Sequence, residues 1–287
     1  MAGMVWTHYP LKFRLNSPMH IGYRKVGNLM QTRSYVPGKN LWAALTARLT
    51  RDFPQAEWNR GYTEVGKCLL RQFRFGYLWP SLDGIRPCCF WEQDDFEYLF
   101  LDSYSGAALD YSSGSTEEGS LHETEFIAPV TRKGEPVYLI GDLWADEGQA
   151  GRTDAIDSGY WQASMESLQL GGERTYGWGR VGLCPQWNGN SSGSGKTSAG
   201  EQWREEDGRV ILSLPKGRKI TSHVLACGEG EAVDVIGPVE PLVGREWKEH
   251  AGRHVSYAGV YFVPGCEAKR DCEFETDGYG RWKAFKA

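Results

Sequence analysis

The 287 residues carry a formal charge of −5, 40% apolar side chains and twelve tryptophans, which excludes a disordered polymer and suffices for one large domain or two small ones. No run of about 18 apolar residues occurs and MAGMVWTHYPLKF lacks the apolar core of a signal peptide, so a cytoplasmic protein with no membrane contact is expected. Seven cysteines without a C-x-x-C pair give no metal-ligand spacing, so reduced thiols, no metal and no other cofactor are expected.

Leu11, Phe13 and Leu15 alternate with Lys12, Arg14 and Asn16, the pattern of a half-buried strand. Residues 17–40 then read as a loop rich in glycine and basic side chains. Asn40 is expected to cap a helix, LWAALTARLTRDF, with Leu41, Leu45 and Leu49 on one face and Pro54 beyond its end. RPCCFW and FEYLFLD suggest short aromatic strands, and 104–120 a polar loop. Phe126–Val130 and Pro136–Trp144 suggest a hairpin turning near Arg132, Lys133 and Gly134. Ser158 to Leu170 places Trp161, Met165 and Leu168 at helical spacing, and a strand starts at Arg180. Strand, helix, strands, helix, strand is the split βαβ order. The expectation is an α+β, ferredoxin-like domain over 1–187 with inserted loops at 81–135. A Gly/Ser linker or mobile loop follows at 188–204, then a β-rich part at 205–287 with strands at Arg209–Leu214 and His254–Val263. GSGKTS in the linker is not a phosphate-binding P-loop, because the position five before Gly195 is Asn190.

Charge is unevenly spread. Residues 1–51 hold eight Lys and Arg and no acid, while all 37 acidic side chains follow. A concentrated cation source of this kind suits phosphate, although charge runs are also simply solvating. Glu92 to Glu125 has ten acids and no Lys or Arg, so it should repel RNA and face solvent or a basic protein partner.

The most informative stretch is Leu168–Val181, LQLGGERTYGWGRV. Gly171, Gly172, Gly177 and Gly179 allow close backbone approach, Arg174 and Arg180 suit phosphate oxygens, and Tyr176 and Trp178 are flat enough to stack on unpaired bases. Such a loop suits single-stranded RNA. A plain turn explains the glycines as well.

Two segments together resemble the RAMP superfamily of CRISPR-associated proteins. SPMHIGYRKVGNLMQTRSYVPGKNLWAALTARL, residues 17–49, resembles the family's early pattern of a His-Ile-Gly loop and a Tyr-Val-Pro-Gly turn opening the first helix. LQLGGERTYGWGRV resembles the family's glycine-rich loop after the second helix. The resemblance implies an RRM-like fold that binds CRISPR RNA (crRNA). About a hundred residues follow the glycine loop, which resembles Cas-five-type subunits of type III or related effectors. It thereby implies a non-catalytic subunit that caps the single-stranded 5′ tag of the crRNA and docks a backbone RAMP subunit and a large subunit. Target RNA or DNA would be met only indirectly. The RNA contacts implied are Ser17, His20, Arg24, Lys25, Arg33 and Lys39, with Gly171, Gly172, Arg174, Tyr176, Gly177, Trp178, Gly179 and Arg180.

Two other classes compete. A metal-independent endoribonuclease would use His20 as base with Lys25 or Tyr23 beside it. An unrelated β-rich sugar- or protein-binding module would use the tryptophans.

Overall fold

A computed structural model of the chain describes residues 5–149, 155–185, 191–228, 231–248 and 250–285. The fold is mixed α and β, rich in strands and with few helices. No described helix is long and apolar enough to cross a membrane.

The first sheet is organised by strand β1, Trp6–Leu15. Side chains alternate across a strand, so Tyr9, Leu11, Phe13 and Leu15 enter one core while Trp6 enters another. β1 pairs antiparallel along its length with Tyr138–Asp146, and on its other side with Arg180–Leu183. Ser167–Gln169 extends that edge, and Phe73–Phe75 lies on the far side of Tyr138–Asp146. Two helices, α1 (Gly38–Asp52) and α2 (Tyr62–Gln72), and the helix Ser158–Met165 bury Leu41, Leu45, Leu49, Val65, Leu69, Trp161 and Met165 in one core with β1.

The opposite face of the sheet is covered by the C-terminal part. There Trp6 and Trp144 share a core with Trp203, Leu212, Phe274 and Trp282. Strand Tyr138–Asp146 is therefore buried on both faces, which explains why YLIGDLWAD shows no alternation. Its buried Asp142 accepts from the His8 ring at 2.8 Å and from the Ser198 backbone at 2.8 Å, tying the two parts together.

The C-terminal sheet has eight strands. It runs Ser194–Lys196, Gln202–Glu206, Arg209–Leu214, Cys272–Thr276, Trp282–Ala284, Val224–Leu225, His250–Phe262 and Val239–Lys248. The last two form a long antiparallel arm. Of the expected linker, residues 188–190 lie outside the described residues. Ser191–Ser192 pairs with β1 and Ser194–Lys196 edges the C-terminal sheet, so this Gly/Ser stretch is hydrogen-bonded strand.

Several local expectations are corrected. α1 begins at Gly38 with Pro37 as N-cap, and no side-chain cap is made; Asn40 lies inside the first turn, donating its N–H to Pro37 O. The second expected helix stops at Met165, and Leu168 belongs to a strand. FEYLFLD opens as a helical turn, Phe96–Phe100, and RPCCFW forms no strand. The 17–40 loop contains a hairpin, β2 (Gly22–Val26) and β3 (Leu29–Thr32), joined by Gly27 and Asn28. The turn at 131–134 forms, but its flanks share only one bridge, Val130 to Pro136. The upstream strand, His122–Ile127, instead pairs with β3 and with Leu101–Gly106 in a second, four-stranded sheet.

The N-terminal half and the C-terminal arm are joined by a buried relay. Arg33 pairs with Glu240 at 2.7 Å, Glu240 accepts from His223 Nε2 at 2.7 Å, and His223 Nδ1 accepts from the Tyr77 hydroxyl at 2.7 Å. The direction of these bonds follows from chemistry: a carboxylate only accepts, so Nε2 carries the proton and Nδ1 is left to accept. Burial pushes the His223 pKa down, the Glu240 bond opposes this, and the Arg33 charge adds to the depression. Burial alone would raise Glu240, but the His223 bond and Arg33 outweigh it and hold it low. An unfolded histidine titrates near about 6.5 and so takes up the proton first. Stability is therefore full above that pH and falls as the pH drops through it. Thermal melting of the protein should drop between pH 7.5 and 5.5. His223→Gln should lose about 1–3 kcal/mol at pH 7.5 and show a shallower pH slope. An unchanged slope contradicts the assignment.

Candidate nucleic-acid interface

The glycine loop does not stand alone; it is laid onto the turn at residues 16–22. Gly172 N–H donates to His20 O at 2.9 Å, Gly179 N–H to Pro18 O at 2.7 Å, and Arg180 N–H to Ser17 Oγ at 2.9 Å. Asn16 N–H returns a bond to Arg180 O at 2.9 Å. Such close approach needs bare α-carbons. At Gly171 (φ +80°) a Cβ would fall 2.3 Å from His20 O, and at Gly179 (φ +77°) 1.8 Å from Leu170 O. At Gly177 (φ +84°) the nearest such atom is 3.7 Å away, so only the backbone angle requires glycine.

Between these anchors the chain makes a short 3-10 turn, Arg174–Tyr176. Gln169 clamps it, its side-chain amide donating to Arg174 O and Trp178 O. Arg174, Tyr176 and Arg180 all face solvent, with Tyr176 80% exposed. Trp178 is half-buried and meets Phe126 edge-on at 5.1 Å and Tyr104 at 6.4 Å. It fastens the loop to the four-stranded sheet, with one edge left over.

His20 is 9% exposed. Its Nδ1 lies 2.7 Å from Glu125 O, which can only accept, so Nδ1 carries the proton. The ring lies close to both Gly172 and Gly22, where a Cβ would stand 3.3 Å from Cδ2 and 3.7 Å from Nε2.

The eight N-terminal cations divide sharply. Arg24 and Lys25 are exposed on β2, with Arg24 bonded to Gln31 and lying 5.2 Å from the Tyr23 ring. Arg14 donates to Pro129 O and Val137 O, and Lys12 sits over Tyr138. Arg48 and Arg51 meet Asp52. Arg33 pairs with Glu240 and lies over the Tyr23 ring at 4.7 Å, and Lys39 approaches Ser256 and the Tyr279 ring, so both reach toward the C-terminal arm. The acidic stretch lies mostly at the surface. Its strand His122–Ile127 runs parallel to β3, where Glu125 accepts from Thr32 N at 2.9 Å. Among the described residues no three His, Cys, Asp or Glu side chains gather as a metal site would need.

The structure thus brings Ser17, His20, Gly171, Gly172, Gly179 and Arg180 into one bonded unit with Arg174 and Tyr176 exposed on the loop, while Arg24 and Lys25 are exposed on the strand that follows the turn. Gln169, Tyr104 and Phe126 also support this loop. Nothing in the spacing of the sequence marked these three.

No protein-family model matches the chain, and no curated protein does. Among solved structures it is similar to a chain of the type III-B Cmr-beta complex in its apo state, at 11% identity and a TM-score of 0.42, covering 63% of this chain and 97% of that one. A chain of Cmr-beta bound to cognate target RNA matches at 12% identity and a TM-score of 0.43, covering 63% and 96%. A chain of Cmr-beta bound to cognate target RNA and AMPPnP matches at 13% and 0.47, covering 93% and 86%.

The two kinds of glycine in the loop separate by stability. Gly177→Ala should cost about 1–2 kcal/mol, the penalty of a left-handed backbone. Gly179→Ala should cost that plus about 1–3 kcal/mol of overpacking against Leu170. Urea unfolding of the two variants measures the difference; equal costs contradict the close approach of Gly179 to Leu170 at the base of the loop.

Proposed function

We propose that the chain is a non-catalytic RNA-binding subunit of a CRISPR effector ribonucleoprotein, a Cas-five-type RAMP protein. In this reading it binds and caps the repeat-derived 5′ tag of the crRNA and docks a backbone subunit. The observation that carries the reading is the glycine loop bonded onto the 16–22 turn, with Arg174, Tyr176 and Arg180 turned to solvent. These two segments are the ones that resemble the family, and they lie far apart in sequence.

The strand order supports the ferredoxin-like form of the fold. Arg180–Leu183, β1, Tyr138–Asp146 and Phe73–Phe75 lie side by side and antiparallel. α1 and α2 fill the first crossover and Ser158–Met165 the second, which is the split βαβ arrangement. In the proposed complex Arg174, Arg180, Arg24 and Lys25 meet tag phosphates and Tyr176 stacks on a base. Ser17, His20, Gly171, Gly172, Gly177, Trp178 and Gly179 hold that surface in shape. The exposed acids between Glu92 and Glu118 suit a basic face of a neighbouring subunit.

The endoribonuclease reading asks His20 to act as base. Its burial, its bond to the Glu125 carbonyl and its closeness to Gly22 and Gly172 suit a structural part better. Isolated protein should leave a repeat-containing precursor RNA intact on a denaturing gel. A defined product that vanishes in His20→Ala would replace this reading with the nuclease.

Arg174→Ala with Arg180→Ala should weaken binding of a tag-length single-stranded RNA roughly tenfold or more, since bonds to charged groups are worth about 1.5–3 kcal/mol each. The slope of log K against log salt should shrink by about 1.4, at about 0.7 per phosphate on a single strand. A folded double variant with unchanged affinity and slope would falsify the assignment.

A further inference from the structure

The four-stranded sheet ends on one side in strand Leu101–Gly106, which among the described residues pairs only with His122–Ile127. Its neighbours fix which backbone groups turn outward. Ala128 N–H donates to Phe100 O, while Ile127 exchanges both its backbone bonds with Met19 on the opposite side. Antiparallel ladders alternate. Asp102, Tyr104 and Gly106 therefore point their backbone groups inward, and Leu101, Ser103 and Ser105 point theirs outward. Leu101 N–H is used by Glu97 O at the end of the helical turn, and Ser103 N–H reaches only the carboxylate of the adjacent Asp102 at 2.9 Å. Ser105 N–H and the three outward carbonyls meet no other strand, and Asp102 to Ser105 are all exposed.

An edge of this kind pairs readily with another chain, and proteins usually protect it with proline, lysine or a bulge. The outer strand of the C-terminal sheet, Val239–Lys248, has Pro241 and two register shifts, and β2 has Arg24, Lys25 and one register shift. LDSYSG has neither proline nor lysine and pairs along its length without a shift. The charge around it is one-sided. Asp102 meets Arg132, and Asp95 meets Lys133. Glu97 before the strand, and Glu117 and Glu118 after it, are exposed and meet no cation among the described residues. Glu117 N–H donates to Ala108 O, which sets it close to the end of the strand. Tyr98 and Leu109, just beyond the two ends, are 61% and 62% exposed.

We propose that the outer edge of strand Leu101–Gly106 receives an extended, lysine- or arginine-bearing segment of a neighbouring protein subunit, which adds a further strand to the sheet. Main-chain bonds hold such a segment, and acids at both ends of the strand select a basic one. The same acids repel a nucleic-acid strand. They also oppose pairing with a second copy, whose identical edge would bring Asp102, Glu97 and Glu117 against like charges. The inference rests on the proposed function for the presence of a neighbouring subunit. Its bonds come from Leu101, Ser103 and Ser105, none of which is among the proposed RNA contacts.

The test uses the full chain and a fluorescein-labelled peptide, Lys-Arg-Thr-Val-Thr-Val-Thr-Lys-Arg, followed by anisotropy and by amide hydrogen exchange. The peptide should bind wild type and slow exchange within 101–106; the same peptide with Glu in place of Lys and Arg should not bind. Ser105→Pro removes an outward N–H and no inward bond. It should bind the basic peptide roughly tenfold or more weakly at an unchanged melting temperature, while Ser105→Thr binds as wild type does. Should Ser105→Pro fail to fold, the exchange pattern in wild type decides. Equal binding by wild type and Ser105→Pro, without slowed exchange at 101–106, means that the acids attract the peptide by charge alone, and strand addition is overturned. Absence of binding to wild type overturns it as well. Dimers of the chain that disappear in Ser105→Pro put a second copy at the edge and overturn the basic partner. Arg174→Ala with Arg180→Ala should bind the peptide normally. Peptide binding without binding of tag-length RNA keeps the edge and removes the RNA reading; RNA binding without peptide binding does the reverse.

Discussion

Everything distinctive about the candidate interface depends on one close contact between backbones. The glycine loop and the 16–22 turn approach until only a hydrogen atom fits between Gly171 and His20 O, while Gly179 lies as tightly against Leu170 at the loop's own base. That contact satisfies the amides of Gly172, Gly179 and Arg180 with acceptors more than 150 residues away in the chain. An isolated loop with four glycines would have high conformational entropy. Docked in this way, its tip becomes a fixed platform that offers Arg174, Tyr176 and Arg180 to solvent. The glycines therefore work mainly within the protein; they let the loop be held, and the side chains between them are left for a ligand.

A second constraint sets the relation of the two halves. The relay from Tyr77 through His223 and Glu240 to Arg33 ties the C-terminal arm to residues beside the β2–β3 hairpin. Breaking a buried pair on one side leaves an uncompensated charge, which is costly. The arm is thereby held beside the start of α1, where Lys39 reaches Ser256. The same sheet that carries the glycine loop is covered on its other face by the C-terminal strands, so Trp6 and Trp144 are buried in the core of the C-terminal part.

How far the sequence could be read depended on how local the cause was. β1 was legible because its Leu-Lys-Phe-Arg-Leu alternation reports a half-buried strand directly, and α1 because Leu41, Leu45 and Leu49 share a face. α2 was not recognised. Its Gly66 breaks the helical signal, yet in the structure Gly66 is where Trp42 packs and donates to the backbone. The β2–β3 hairpin carried a readable Gly27-Asn28 turn inside a stretch whose basic composition drew attention to loop character. At the interface, the charge asymmetry of the first 51 residues was real, but its meaning was not additive. Arg14, Arg33, Arg48 and Arg51 all find internal partners, and only tertiary structure reveals which cations those are. Trp178 read as a stacking surface because the sequence cannot show that Phe126 and Tyr104 lie beneath it.

In the proposed function, two segments distant in sequence form one RNA surface. Ultraviolet crosslinking of the protein with its bound RNA, followed by peptide mass spectrometry, tests it most directly. Crosslinked peptides should come from both 17–25 and 171–180, with those from Tyr176 among the strongest. Crosslinks absent from both segments, or confined to residues beyond 205, would contradict it.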